Sequence, residues 1–290
     1  MRDASDRLRW GMVRSILRFI SRLFQSRDQR RAELLARPFP EEWMPHILRA
    51  VPEFRLFSEP DRSRLRECIR IFLSEKSFLG CRGLDITDQI RVIVAAGACR
   101  LLLGLPGLDV FPRLREIIIY PHDFKETIEA IGPDGTRYAI ERVRAGEAWR
   151  RGPVVLAWNS VGHSFQGLRD GYNVVIHEFA HVIDMQNGEA DGIPPLPTRE
   201  WAQRWEKVFM REYRTFVTKE RQGEMTFLDP YAATDQAEFF AVATEFFYER
   251  PEEMAVMHRE LFSLFVDFFG RDPRQWRRPA PTRWFRRIRQ

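Results

Sequence analysis

The stretch Asn173-Val174-Val175-Ile176-His177-Glu178-Phe179-Ala180-His181-Val182-Ile183-Asp184 decides the reading of this chain. Its apolar residues fall on most faces of a helical period, with Asn173 suited to cap the start and Gly188 the end. The expectation is a largely buried helix over 173–187. His177 and His181 stand four positions apart, so both imidazoles project from one face, one turn apart. At that spacing both can reach a single Zn2+ at about 2.0–2.1 Å. Glu178 is turned too far round to ligate the same ion, yet it stays close enough to act on a water as general base.

A catalytic zinc takes three protein ligands, so two histidines leave the set incomplete. The metzincin continuation needs Gly and then His after the second histidine, and Asp184 and Asn187 occupy those places. The remaining common solution is a Glu on a later helix. Glu238 and Glu245 both qualify. They lie seven apart in 235–245, on one helical face, among Ala and Phe residues where an unpartnered carboxylate is costly. Asp235 and Glu238 also have capping-box spacing, and Glu245 would equally serve an Arg, so the residues alone leave both candidates open. Asp184 reads either as an acceptor orienting a ligand imidazole or as a helix-surface charge.

Outward from this helix, the chain has 290 residues and 44% hydrophobic content, enough for a sizeable core. No apolar run reaches the roughly 18 residues of a membrane-spanning helix. Cys68, Cys81 and Cys99 form no CxxC pair, which excludes a cysteine-built zinc finger or a disulfide scaffold and suits a reducing, cytoplasmic setting. In its Gly-rich block Cys81 reads as a packed residue, not a nucleophile. The formal charge of +5 is carried by the ends. Residues 1–31 hold nine Arg against three Asp, residues 271–290 hold eight Arg against one Asp, and the part between is net acidic. The body is therefore not expected to bind nucleic acid directly.

Three regions are expected: 1–40 with a basic amphipathic helix, a catalytic domain over 41–270, and an Arg/Trp-rich tail over 271–290. In the first, Val13, Ile16, Leu17, Ile20, Leu23 and Phe24 oppose Arg14, Arg18 and Arg22, so residues 9–24 suit weak contact with an anionic membrane surface or an ordinary helix lying on the domain. In the tail, Trp276, Trp284 and Phe285 sit among arginines. Between them, helical pieces over 42–75 and a helix over 87–103 precede short β-branched strands at 115–120, 138–143 and 154–158. Helices return at 173–187, 198–218, 234–249 and 251–268. Few clustered strands inside a mainly helical chain give an α+β class with a small sheet. His122 and His163 read as loop residues, the latter bordering the cleft. The strand at 154–158 is either a sheet edge for an extended peptide or an internal strand.

The motifs resemble the Mlc titration factor A (MtfA) family of bacterial zinc peptidases. The resemblance rests on His177 to Asp184 with Met185, Gly188 and Ala190-Asp191-Gly192, on Phe78 to Leu84 with Ile86-Thr87-Asp88, on Gly152 to Leu156 with Trp158, and on Tyr231 to Asp235 with Ala237-Glu238. It spans about residues 40–270. It implies a gluzincin-like peptidase related to the anthrax lethal factor catalytic domain, with one zinc held by His177, His181 and Glu238. It further implies a transition-state role for Tyr231, aminopeptidase-type activity on peptide substrates, and a regulatory partner, a sugar-responsive transcriptional repressor of the Mlc type.

Overall fold

The structure is a computed structural model that describes residues 26–105, 109–131, 137–144, 146–148, 152–167 and 170–276. Its contacts divide the chain into two units, Met1–Pro40 and Glu41–Gln290. The first contributes helix α1 (Arg27–Leu35), opened by a capping box in which Ser26 and Gln29 exchange hydrogen bonds. The amphipathic stretch 9–24 lies outside the described residues, as do Trp284 and Phe285.

The second unit is mainly helical around a small sheet. Its helices are α2 (Met44–Ala50), α3 (Glu59–Glu75), α4 (Asp88–Arg100), α5 (Trp158–Ser164), α6 (Val174–Asp184), α7 (Arg199–Arg221), α8 (Gln236–Glu249), α9 (Pro251–Met257) and α10 (Arg259–Phe269). Strands β1 (Ser77–Gly80), β2 (Glu116–Tyr120), β5 (Gly146–Ala148) and β6 (Val154–Ala157) form one sheet in the order β1-β2-β6-β5. β1, β2 and β6 run parallel, and β5 is antiparallel to β6. A separate antiparallel pair joins β3 (Phe124–Ile131) to β4 (Arg137–Arg144). The α+β class therefore stands. The edge reading of 154–158 does not: β6 is internal and buried at every position, and β5 forms the rim.

Further departures have local causes. Trp158 starts helix α5 and does not extend β6, so His163 is helical, its ring 5.5 Å from that of Tyr172. The single helix read at 251–268 is two, broken where His258 adopts φ −132°. Trp276, placed with the Arg/Trp-rich tail by the sequence, packs into the second unit. It is buried with its ring 4.6 Å from Phe57, beside Arg271, which donates two hydrogen bonds to Asp61. Cys68 and Cys99 are buried, and His122 is exposed.

What positions the histidine helix is an aromatic core. On α7, Trp205 is fully buried and stacks on Phe209 and Phe265, with Phe240 of α8 at 5.9 Å. On the other side, Phe179 of α6 meets Phe72 and Phe111 at 5.7 and 4.8 Å. α8 is thus clamped between the aromatic cluster of α7 and α10 and the polar face of α6. Truncating Phe240 to Ala is expected to destabilise the fold by about 3–5 kcal/mol in urea unfolding, because a buried ring is replaced by a cavity. A change under about 1 kcal/mol would show that α8 is not held by this cluster.

Candidate metal centre

The site is built on α6 and α8. Asn173 caps α6, its Oδ1 accepting from Ile176 N–H, and the apolar positions Val175, Ile176, Phe179 and Ala180 are fully buried. This leaves the face carrying His177 and His181 to meet α8. Asp235 caps α8 by accepting from Glu238 N–H, which fixes where the first turn of that helix presents its carboxylate.

The side chains of His177, His181 and Glu238 converge. Glu238 Oε2 lies 3.0 Å from His177 Nε2 and 3.3 Å from His181 Nε2, and the two ring nitrogens are 3.3 Å apart. A tetrahedral ion with ligands at about 2.0–2.1 Å sets its ligand atoms about 3.3 Å from one another. The three separations fit such an ion without rearrangement, and the donors, two imidazole nitrogens and a carboxylate oxygen, suit a borderline divalent metal. This is the one His/Cys/Asp/Glu group of that kind among the described residues.

Glu245 takes a different place. Its Oε1 lies 2.8 Å from His177 Nδ1, and its Oε2 accepts from the Asn173 backbone N–H. With Nδ1 donating to Glu245, the lone pair of Nε2 faces Glu238 and His181, the orientation a metal ligand requires. Neither reading of Glu245 from the sequence anticipated this partner. Asp184 is not a helix-surface charge: its side chain is fully buried and accepts from Gly192 N–H at 2.9 Å, and among the described residues no hydrogen bond joins it to either ligand imidazole. Burial pushes the Asp184 carboxyl up to about 7, against that hydrogen bond. Gly192 itself is held at φ +74°, where a Cβ would stand 2.5 Å from the Gln236 carbonyl.

The protonation pattern follows the geometry. Burial opposes charge on His177, but Glu245 and Glu238 outweigh it and raise its pKa well above the ordinary value. Burial likewise opposes the Glu238 anion, and the hydrogen bonds with His177 and His181 prevail, holding it well below the usual carboxylate range. Glu178 behaves oppositely. It is 4% exposed, its Oε2 has no hydrogen-bond partner among the described residues, and burial pushes its carboxyl up to about 7 despite both histidines. Its other oxygen packs against β5, where a Cβ on Gly146 would come within 2.4 Å of it. Tyr231 stands on the turn Pro230–Ala233, which is capped by Asp229. Its hydroxyl donates to Glu238 Oε1 at 3.0 Å, its ring is 6.1 Å from that of His177, and 46% of it is exposed.

Comparison with known proteins places this arrangement in context. The family model of the glucose-regulated metallo-peptidase M90 matches residues 24–270. A protein of Synechocystis sp., described as an uncharacterized protein, is 37% identical over 250 residues, covering 85% of this chain and 90% of that one. Proteins named Mlc titration factor A are similar as well. That of Serratia proteamaculans is 34% identical over 252 residues, covering 84% of this chain and 90% of its own. That of Klebsiella pneumoniae (strain 342) is 34% identical over 231 residues, covering 78% and 85%. The match across most of the chain, with both histidines and Glu238 inside it, shows that this protein belongs to the M90 family of metallopeptidases, the family of Mlc titration factor A.

Proposed function

We propose that the chain is a zinc-dependent peptidase that hydrolyses peptide bonds with an activated water, and that it is of aminopeptidase type and acts in the cytoplasm. The observation that carries this reading is the convergence of His177, His181 and Glu238 at ligand spacing beside Glu178, a buried carboxylate with one oxygen lacking a hydrogen-bond partner among the described residues. The aminopeptidase type is supported by the family resemblance. The cytoplasmic setting is supported by three free cysteines, and no described helix is long and apolar enough to cross a membrane.

His177, His181 and Glu238 would hold the ion, which supplies Lewis acidity toward the water and the scissile carbonyl. Glu178 accepts the proton of the attacking water and returns it to the leaving amine. Its elevated pKa suits both transfers, because the group must be basic in one step and acidic in the next. Tyr231, already a donor to the site and open to solvent on one side, moves its hydrogen bond to the developing oxyanion. Glu245 fixes the His177 ring. The half-buried rim strand β5, passing over Glu178, is the strand along which an extended peptide pairs.

A second reading is favoured by the name of the relatives, which points to Mlc: with the family resemblance, it makes the chain a binding partner of a transcriptional repressor of the Mlc type. Hydrolysis and binding are separable. Glu178→Gln is expected to lower hydrolysis of an amino-acid anilide panel by at least about 100-fold while retaining one zinc per chain and any repressor binding. Equal turnover by this variant would contradict the assigned base. Glu245→Gln, which removes a charged acceptor from His177, is expected to weaken Zn2+ binding about 10- to 100-fold in chelator competition. Unchanged affinity would show that the Nδ1 partner does not tune the ligand.

A further inference from the structure

The carboxylates of α8 do not end at Glu245. Glu249 follows it one turn later on the same face, and its Oε1 accepts from Asn173 Nδ2 at 3.1 Å and from Arg100 Nη1 at 3.2 Å. Arg100, the last residue of α4, is 5% exposed; it also pairs with Glu53, donates to the Tyr248 carbonyl at 3.2 Å, and lies over the Tyr248 ring at 4.9 Å. Asn173 is therefore gripped three ways. Its side-chain oxygen caps α6, its side-chain nitrogen is bound by Glu249, and its backbone N–H is bound by Glu245, the residue that holds His177 Nδ1. One connected path runs Arg100–Glu249–Asn173–Glu245–His177.

Resting on the metal-centre reading above, we infer that Arg100 is a positioning residue for that centre: through Glu249 and Asn173 it fixes the first turn of α6 and the Glu245 carboxylate, and thereby the aim of His177. The physical reasons are charge and geometry. Glu245 and Glu249 lie one turn apart at the start of α6, and with Glu53 they put three carboxylates in a largely buried region. A guanidinium with two of them in reach offsets their repulsion, and its planar fork fixes their positions as a lysine could not. Without it, Glu249 loses this guanidinium, and the carboxylate that anchors Asn173 Nδ2 is less firmly placed. The disturbance then reaches a ligand whose direction must be right to within a few tenths of an ångström, although Arg100 touches no ligand.

The test uses the full chain and Zn2+ alone, with affinity read by competition against a chromophoric chelator and folding read by circular dichroism. Arg100→Gln is expected to lower Zn2+ affinity at least about tenfold per folded molecule. In a Glu245→Gln background the same substitution is expected to cost much less, because its route to His177 is already cut. Co2+ bound in place of zinc is expected to show an altered visible spectrum in Arg100→Gln, reporting changed ligand geometry. A folded Arg100→Gln with wild-type Zn2+ affinity, or losses that simply add, would overturn the inference and leave the centre intact. Failure of the wild type to bind Zn2+ would instead overturn the centre itself, and this inference with it. If Arg100→Gln does not fold, Glu249→Gln severs the same path and carries the same expectations.

Discussion

Everything in this structure depends on bringing acidic side chains of one helix against two imidazoles of another inside a nearly dry interface. An uncompensated carboxylate there would cost several kcal/mol, so the interface exists only if each charge finds a partner. Glu238 meets both histidines, Glu245 meets His177 and a backbone N–H, and Glu249 meets Asn173 and Arg100. Glu178, beside the ligand set, keeps one buried oxygen without a hydrogen-bond partner among the described residues, and it is the group proposed to move protons.

Holding these charges in register requires a rigid backing. The stack of Trp205, Phe209, Phe240 and Phe265 presses α8 from behind, and Phe179 with Phe72 and Phe111 presses α6. Aromatic residues suit this task, since a few large rings bury much apolar area and lose little rotamer freedom. The indole N–H of Trp205 donates to the Gly192 carbonyl, while Gly192 N–H donates to Asp184 at the end of α6. The aromatic core and the site helix therefore share a hinge-free connection through one glycine.

The sequence made much of this legible because the strongest signals are local. His177 and His181 on one turn, the caps at Asn173 and Asp235, and the β-branched runs at 116–120 and 154–157 all follow from spacing and residue type. Several features were not legible. β1, with Gly80 in a Gly-rich block, and β5, only three residues long, carry too little hydrophobic pattern to announce a strand. Pairing order is non-local, so the choice between an edge and an internal β6 stays open until β5 is seen beside it. Glu238 and Glu245 share a face and a composition, and only the position of α6 along α8 separates a convergent carboxylate from the one behind the ring. The partner of Arg100, 149 positions away, leaves no trace in spacing at all.

The central claim is that Glu238, not Glu245, completes a centre with His177 and His181. Anomalous diffraction at the zinc edge from crystals grown with Zn2+ tests it most directly. One strong peak is expected within about 2.0–2.2 Å of His177 Nε2, His181 Nε2 and a Glu238 oxygen, with Glu245 still on His177 Nδ1. A peak ligated by Glu245, or one lying away from α6, would contradict it.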